Sequence, residues 1–184
     1  MKTLIFNGSP RKNGDTVSLL SKTLEHLEGE VKIVNAYFCD IHPCVDCRYC
    51  WSHIGCAFKD EMQEVYEYLK DCDNIIIASP VYYSEVTGQL LSVLSRLQIY
   101  YSASHFQGVR LQLKTKKGAI ILVGGGDGSP DRAAETAKML LRCMNVKESL
   151  SPVISHNTNN VPAIKDEQAV NGAKAIAEFF NKKG

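Results

Sequence analysis

Four consecutive apolar residues, Ile75-Ile76-Ile77-Ala78, set the strongest constraint on what this chain can fold into. They show no polar alternation, so a strand built from them is buried on both faces, the condition met inside a parallel sheet. The run ends in Ser79-Pro80-Val81-Tyr82-Tyr83-Ser84, and Gly88–Tyr101 follows as a helix with Leu90, Leu91, Leu94 and Leu97 along one side. The same order recurs through the chain. Lys2–Phe6 is a first strand, and after it comes a helix capped by Asp15 or Thr16 with Leu20, Leu24 and Leu27 at i, i+4 and i+7. Glu30–Ala36 is a second strand, and the helix after it starts near Asp60, with Met62, Val65, Tyr66 and Leu69 on one face. Lys117–Val123 is a fourth strand before a helix from about Asp131 to Met144. Lys147–Ile154 is a fifth, Ser155–Pro162 is irregular, and a closing helix spans about Lys165 to Lys182 with Val170, Ala173, Ala177 and Phe180 on one side. Five alternations of strand and helix predict an α/β fold: a five-stranded parallel sheet in the order 2-1-3-4-5, with helices on both faces. At 184 residues the chain is read as a single domain, 1–184.

In that strand order a ligand crevice opens at the carboxyl ends of strands 1, 3 and 4. The loop leaving strand 1 is Asn7-Gly8-Ser9-Pro10-Arg11-Lys12-Asn13-Gly14-Asp15-Thr16. A Gly/Ser-rich turn that leads into a helix N-terminus offers backbone N–H groups and a favourable dipole to an anion, and Arg11 can add a bidentate contact. The alternative is an ordinary turn with a good N-cap. The loop is not a Walker A loop, because no Gly-Lys-Ser/Thr closes it, and it is not GxGxxG. Without Cys-x5-Arg it holds no phosphatase nucleophile either. Gly8-Ser9-Pro10-Arg11-Lys12-Asn13-Gly14 instead resembles the FMN-phosphate loop of the flavodoxin-like NAD(P)H-dependent FMN reductases, a family that includes the iron–sulfur flavoproteins. The resemblance implies a flavodoxin-like three-layer sandwich.

A flavin needs a phosphate cradle, a wall for its ring system and backbone groups for its polar edge. The strand-3 loop Pro80-Val81-Tyr82-Tyr83 supplies a wall, since proline fixes the turn and an aromatic ring stacks on a flat ligand. The strand-4 loop Gly124-Gly125-Gly126 allows close backbone approach. Taken singly, paired tyrosines can be surface residues and a triple glycine can be a flexible turn. Ser79-Pro80-Val81-Tyr82-Tyr83, with Gly88-Gln89-Leu90 and Arg96, is similar to the family's second FMN loop and the helix behind it. By position, the resemblance assigns phosphate contacts to Ser9, Arg11, Asn13 and Thr16, ring contacts to Pro80, Val81, Tyr82 and Tyr83, and the third loop to Gly124, Gly125, Gly126 and Asp127. Two positions depart from it: Asp15 stands where the family usually has Asn, and Ser95 where it has Asp. An anion beside a phosphate weakens binding unless Asp15 turns away.

The stretch Tyr37 to Lys59 holds five of the seven cysteines. Cys44-x2-Cys47-x2-Cys50-x5-Cys56 is too compact for the paired knuckles of most zinc sites, and thiolates three residues apart can converge on one centre. The spacing is similar to that of the iron–sulfur flavoproteins and implies a [4Fe–4S] cluster. Relatives that bind only FMN keep similar cysteines, so a set of buried or redox-inert thiols stays open beside the cluster. Cys39, Cys72 and Cys143 are isolated and read as core residues, and His42, His53 and His105 as surface or loop residues.

Charge is nearly balanced, with 21 basic and 20 acidic residues and no basic block, which argues against a nucleic-acid partner. No apolar run reaches the length of a membrane span, the N-terminal one ends too early for a signal peptide, and clustered cysteines in odd number suit a reducing, cytoplasmic setting. The reading that follows is an FMN-dependent oxidoreductase that takes hydride from NAD(P)H and passes electrons to a quinone, flavin or protein acceptor. The flavin performs the chemistry, so no catalytic side chain is expected. The rival is a flavodoxin-like electron carrier without substrate turnover, though carriers are commonly acidic and this chain is neutral. A flavin-free receiver domain would need carboxylates where Asn7 and Ser79 stand. Family analogy implies a homodimer or homotetramer.

Overall fold

The computed structural model of the chain describes residues 1–182. At its centre β1 (Lys2–Asn7) pairs in parallel with β2 (Glu30–Asn35) on one side and with β3 (Asn74–Tyr82) on the other. Successive side chains of a strand point to opposite faces, and here each face is a core. Leu4 and Phe6 of β1, with Ile75 and Ile77 of β3, enter one apolar cluster, while Ile5 and Ile76 enter the other. All six are fully buried, which is why these runs show no polar alternation.

β5 (Lys116–Val123) continues the sheet beside β3, and β6 (Val146–Ser149) and β7 (Val153–Ser155) both pair in parallel with β5. The core order β2-β1-β3-β5-β6 is the expected 2-1-3-4-5. The strand expected over Lys147–Ile154 is split in two, with Leu150-Ser151-Pro152 between the halves. Pro152 lacks the N–H that a continuous ladder would need there. A further strand, β4 (Glu85–Val86), folds back antiparallel on the end of β3, so the sheet has seven strands around a five-strand parallel core.

The helices are α1 (Asp15–Leu24), α2 (Tyr49–Ser52), α3 (Met62–Asp71), α4 (Gly88–Leu94), α5 (Gln98–Gln107), α6 (Asp131–Cys143) and α7 (Glu167–Asn181). α1 and α7 cover one face, where Leu19, Leu20, Ile176 and Phe180 meet the sheet. They are also tied by Thr23, whose hydroxyl donates to the Ala173 carbonyl at 2.9 Å. α3, α4 and α6 cover the other face through Val65, Leu69, Leu90, Leu94, Ala137 and Leu141. The single helix expected over Gly88–Tyr101 is interrupted by a 3-10 turn at Ser95–Leu97, and its second half runs on to Gln107. The turn brings Arg96 into the interior.

Leu69 is fully buried against the larger cluster. Leu69→Ala is expected to lower unfolding stability by about 2–5 kcal/mol, read as a lower urea midpoint at unchanged slope.

Candidate functional site

The parallel register delivers β1, β3 and β5 to one edge, and their loops enclose a crevice. Ser9, Pro10, Arg11, Gly14, Asp15 and Thr16 form one side of it, Pro80, Val81 and Tyr82 the second, and Val123 and Gly125 the third. The first loop is held from below. Asn7 Oδ1 accepts the Ser9 N–H at 3.0 Å, its Nδ2 donates to Asn35 Oδ1 at 2.8 Å, and Gly8 N–H donates to the Ala78 carbonyl at 2.8 Å. The buried Thr87 hydroxyl donates to the Gly8 carbonyl at 2.9 Å, while its backbone N–H donates to Ser79 Oγ at 3.1 Å. Gly8 has no space for a side chain: a Cβ there would stand 2.8 Å from Thr87 Oγ1 and 3.0 Å from Leu90. One threonine therefore joins the first loop to the second.

α1 starts at Asp15 with Gly14 as its N-cap, and no side chain caps it. The expected cap at Asp15 or Thr16 gives way because Asp15 serves elsewhere. Its Oδ1 accepts the Ala163 N–H at 2.8 Å, from the opposite end of the chain. The uncapped N–H groups, the Thr16 hydroxyl and the exposed Arg11 make a donor set that suits a phosphate, while the Ser9 hydroxyl, on the same side, donates to the Arg11 carbonyl at 3.0 Å and accepts the Arg11 N–H at 3.2 Å. Asn13 is exposed and does not line the crevice.

In the second loop Val81 and Tyr82 pair with Val86 and Glu85, and the hairpin turns through Tyr83 and Ser84 at φ 52° and 61°. A two-residue turn with both φ positive usually carries Asn-Gly, so side chains at both positions put strain into this tip. The hairpin aims Tyr82 at the crevice and leaves Tyr83 at the tip, fully exposed and away from the lining. In the third loop Gly125 lines the crevice, whereas Gly124, Gly126 and Asp127 do not. Segment 155–160 backs this loop: the Thr158 N–H donates to the Gly124 carbonyl at 3.1 Å and the Asn159 N–H to the Gly125 carbonyl at 3.3 Å. Thr158 and Asn159 thereby join the lining. They gave no signal in sequence, because only the fold brings this segment beside the glycines.

A separate cavity of about 140 Å³ lies under the cysteine loop, roughly ten times the ~10–15 Å³ that one water needs. Cys44, Cys47, Cys50 and Cys56 all line it, together with Trp51, Phe58, Tyr101, Phe106 and Arg96. All seven cysteines are free. Four thiols are a soft donor set of the kind that zinc and iron–sulfur centres use, but among the described residues no three His, Cys, Asp or Glu side chains are grouped to hold a metal ion. Three residues of the interrupted helix fasten the loop, Gln107 with a second bond to the His53 carbonyl at 3.1 Å. Ser95 Oγ accepts the Cys44 N–H at 2.9 Å, Gln107 Nε2 donates to the Cys50 carbonyl at 2.8 Å, and Arg96 Nη1 donates to the His42 carbonyl at 2.9 Å. Arg96 also forms a buried pair with Asp60, at 2.6 Å from Nη1 and 3.2 Å from Nη2. Burial pushes the Asp60 carboxyl up, yet the hydrogen bonds from Arg96 and the His42 N–H, with the Arg96 charge, outweigh it and hold the group below its usual range. Of the isolated thiols, Cys72 is buried, and burial raises it to about 11, as for a packing residue. Cys39 is half-buried. Cys143, expected in the core, is exposed because it ends α6 on the outer side. His42, His53 and His105 are exposed.

A family model described as NADPH-dependent FMN reductase matches residues 1–159. An iron–sulfur flavoprotein of Archaeoglobus fulgidus is 33% identical over 149 residues, 79% of this chain and 64% of that protein. One from Methanosarcina thermophila is 30% identical over 128 residues, 68% of this chain and 64% of its own length. The chain thus spans less than two thirds of these relatives. An NAD(P)H:quinone oxidoreductase from Methanothermobacter marburgensis superposes with a TM-score of 0.73 at 13% identity, over 100% of this chain and 98% of that one. At that identity the likeness concerns the fold.

Because Asp60 is held below its ordinary value, its contribution to stability is present above about pH 4 and is lost as pH falls through its folded value. Asp60→Asn is expected to cost about 3–5 kcal/mol at pH 7 by leaving Arg96 buried without a counter-charge. The difference from the unsubstituted protein should shrink below pH 4 in urea titrations. A difference that stays constant with pH would contradict the assignment.

Proposed function

The chain belongs to the NADPH-dependent FMN reductase family, and on that premise we propose that it is an FMN-dependent oxidoreductase drawing hydride from NADH or NADPH. Electrons pass on to a quinone, a flavin or a protein acceptor. One observation carries the reading: the uncapped start of α1, Arg11 and the Pro80–Tyr82 wall all face a single crevice. In this proposal Ser9, Arg11 and Thr16 hold the phosphate of FMN with the first N–H groups of α1. Pro80, Val81 and Tyr82 flank the ring, and Gly125 offers its polar edge a bare backbone. Asn13, Tyr83, Gly124, Gly126 and Asp127 stand around these contacts without lining the crevice. FMN, when bound, supplies the chemistry by accepting a hydride and releasing two electrons together or singly.

The protein's own residues bind and orient. Arg11, exposed at the mouth, is free to turn its fork onto an anion. Asp15, the one carboxylate lining the crevice, has an oxygen engaged by the Ala163 N–H, which draws its charge away from the phosphate position. Val81 of the second loop and Val123 of the third add apolar surface to the crevice, and Thr158 and Asn159, which back the third loop, add polar groups. The balanced charge, 21 basic against 20 acidic residues, supports an enzyme over a carrier steered to basic partners.

The cysteine loop supports a second element of the proposal, a [4Fe–4S] cluster on Cys44, Cys47, Cys50 and Cys56. Four free thiols around one cavity favour it, and so does the name iron–sulfur flavoprotein borne by the relatives. The thiols must turn inward to hold it, since they are not grouped for a metal as they stand. Free thiols also suit a cytoplasmic setting. No helix among the described residues is long and apolar enough to cross a membrane. The homodimer or homotetramer implied by the family resemblance belongs to the same proposal.

Purified protein titrated with FMN should bind one equivalent per chain. Arg11→Ala should weaken that binding by about 1.5–3 kcal/mol, the worth of a hydrogen bond to a charged group. No binding to the unsubstituted protein would end the flavin reading. Anaerobic mixing of the FMN-loaded protein with NADPH or NADH should bleach the flavin band within seconds, followed by turnover once a quinone is added. Bleaching by dithionite alone would favour the carrier.

A further inference from the structure

Thr87 is fully buried and lies outside the crevice lining, yet each of its polar groups is engaged on behalf of one of the loops around it. Its hydroxyl is the N-cap of α4 and accepts the Leu90 N–H at 3.4 Å, while its carbonyl accepts the Leu91 N–H at 3.1 Å. With one lone pair turned to Leu90, the hydroxyl proton goes to the Gly8 carbonyl at 2.9 Å. The backbone N–H donates to Ser79 Oγ, which in turn donates to the Pro80 carbonyl at 2.8 Å. Ser79 and Thr87 thereby close the base of the hairpin that carries Val81 and Tyr82. On the other side of the junction, Gly8 is pinned through both its polar groups, the N–H to Ala78 in β3 and the carbonyl to Thr87. Beyond Gly8 the first loop rises to Arg11, Lys12 and Asn13, all exposed. Its order has to come from its base.

We infer that Thr87 is a positioning residue for phosphate recognition: its hydroxyl fixes the first loop at a set distance from the ring wall, so that the crevice selects a phosphorylated flavin over an unphosphorylated one. The inference rests on the flavin reading above and deepens it. A ligand gripped at two ends gains from both only where the spacing of the two subsites matches its own length. Thr87 sets that spacing from the middle, because its backbone closes the hairpin with Tyr82 and its side chain holds the loop with Arg11. Donors held in place beforehand also spare the ligand the cost of ordering them. Without the hydroxyl, the Gly8 carbonyl loses its partner on the side of α4 and the start of the first loop is free to shift. The hairpin, closed through backbone and Ser79, is not.

The test uses the full chain, freed of bound flavin and titrated with FMN and with riboflavin, the same molecule without its phosphate. Quenching of flavin fluorescence reports binding, and urea unfolding of each variant is followed alongside. Thr87→Val keeps the shape and the backbone N–H and removes the hydroxyl, while Thr87→Ser returns it. Gly8→Ala attacks the same junction from the other side, since its Cβ would stand 2.8 Å from Thr87 Oγ1, and does so without removing the cap of α4. It carries the test should Thr87→Val fail to fold. The expected result for Thr87→Val is FMN binding weakened roughly tenfold, the upper range for one lost hydrogen bond, with riboflavin binding unchanged. Gly8→Ala should shift the ratio of the two affinities in the same direction, and Thr87→Ser should restore most of it. The lost cap also lowers the urea midpoint, but a merely structural role weakens both ligands alike or neither. Either of those outcomes, or a serine variant that behaves like the valine one, would overturn the inference and leave the flavin reading intact. Failure of the unsubstituted protein to bind FMN would overturn the flavin reading itself, and this inference with it.

Discussion

A parallel sheet allows no tight turn between neighbouring core strands, so the chain must cross back over a face after every strand and begin the next at the same end. All else in this molecule follows from that constraint. It sends the loops after Asn7, Tyr82 and Val123 to one edge, and it requires helices on both faces, which Leu4 with Phe6 and Ile5 with Ile76 pack against from opposite sides. A crevice at that edge needs no specialised strand. What does need specification is the distance between the loops, and here a few buried polar groups act where apolar packing is too unspecific. The Thr87 hydroxyl sets the first loop against the second, and the carbonyls of Gly124 and Gly125 set the third against segment 155–160.

The regular part of this arrangement was legible in the sequence because burial on both faces leaves a local mark. Strands of consecutive β-branched and aliphatic residues, and helices with leucine at i and i+4, declare themselves within a window of ten residues. The departures are all places where a distant group outcompetes a local preference. Asp15 is a sound N-cap residue by its neighbours alone, yet its carboxylate is engaged 148 residues away by Ala163. The leucines of Gly88–Tyr101 favour one unbroken helix, but Arg96 is drawn to Asp60, 36 residues earlier, and the helix tightens into a 3-10 turn to let it in. Pro152, by contrast, was a visible breaker inside an expected strand, and the split into β6 and β7 was open to local reasoning.

The candidate site divides in the same way. Ser9, Arg11, Thr16, Pro80, Val81, Tyr82 and Gly125, drawn from three loops, line one crevice. Tyr83 parts from Tyr82 because the hairpin pairing, which the sequence did not announce, ends at Tyr82 and leaves Tyr83 in the turn at the exposed tip. Thr158 and Asn159 could not be found from a motif, since their place depends on two backbone hydrogen bonds to a loop some 34 residues away. Sequence spacing identifies which residues share a loop; the fold decides which of them share a cavity.

The Asp60–Arg96 pair shows why such a device is retained. Exchanging a buried ion pair for apolar side chains of similar volume is often neutral or favourable, so the pair's stability alone does not account for it. Its geometry does. Asp60 accepts the N–H groups of His42 and Met62 while Arg96 donates to the carbonyl of His42, so a single pair ties the exit of the cysteine loop, the start of α3 and the helix interruption into one unit. An apolar replacement could fill the same volume but could not specify which backbone groups of an otherwise irregular 23-residue stretch, Tyr37 to Lys59, come to rest there. The loop carries few buried apolar side chains of its own; it is held by Asp60, Glu61 and Gln63 around the start of α3 and by Ser95, Arg96 and Gln107 of the interrupted helix. The order of the cysteine loop is therefore borrowed from its neighbours, the start of α3 on one side and the interrupted helix on the other, and the Asp60–Arg96 pair joins the two.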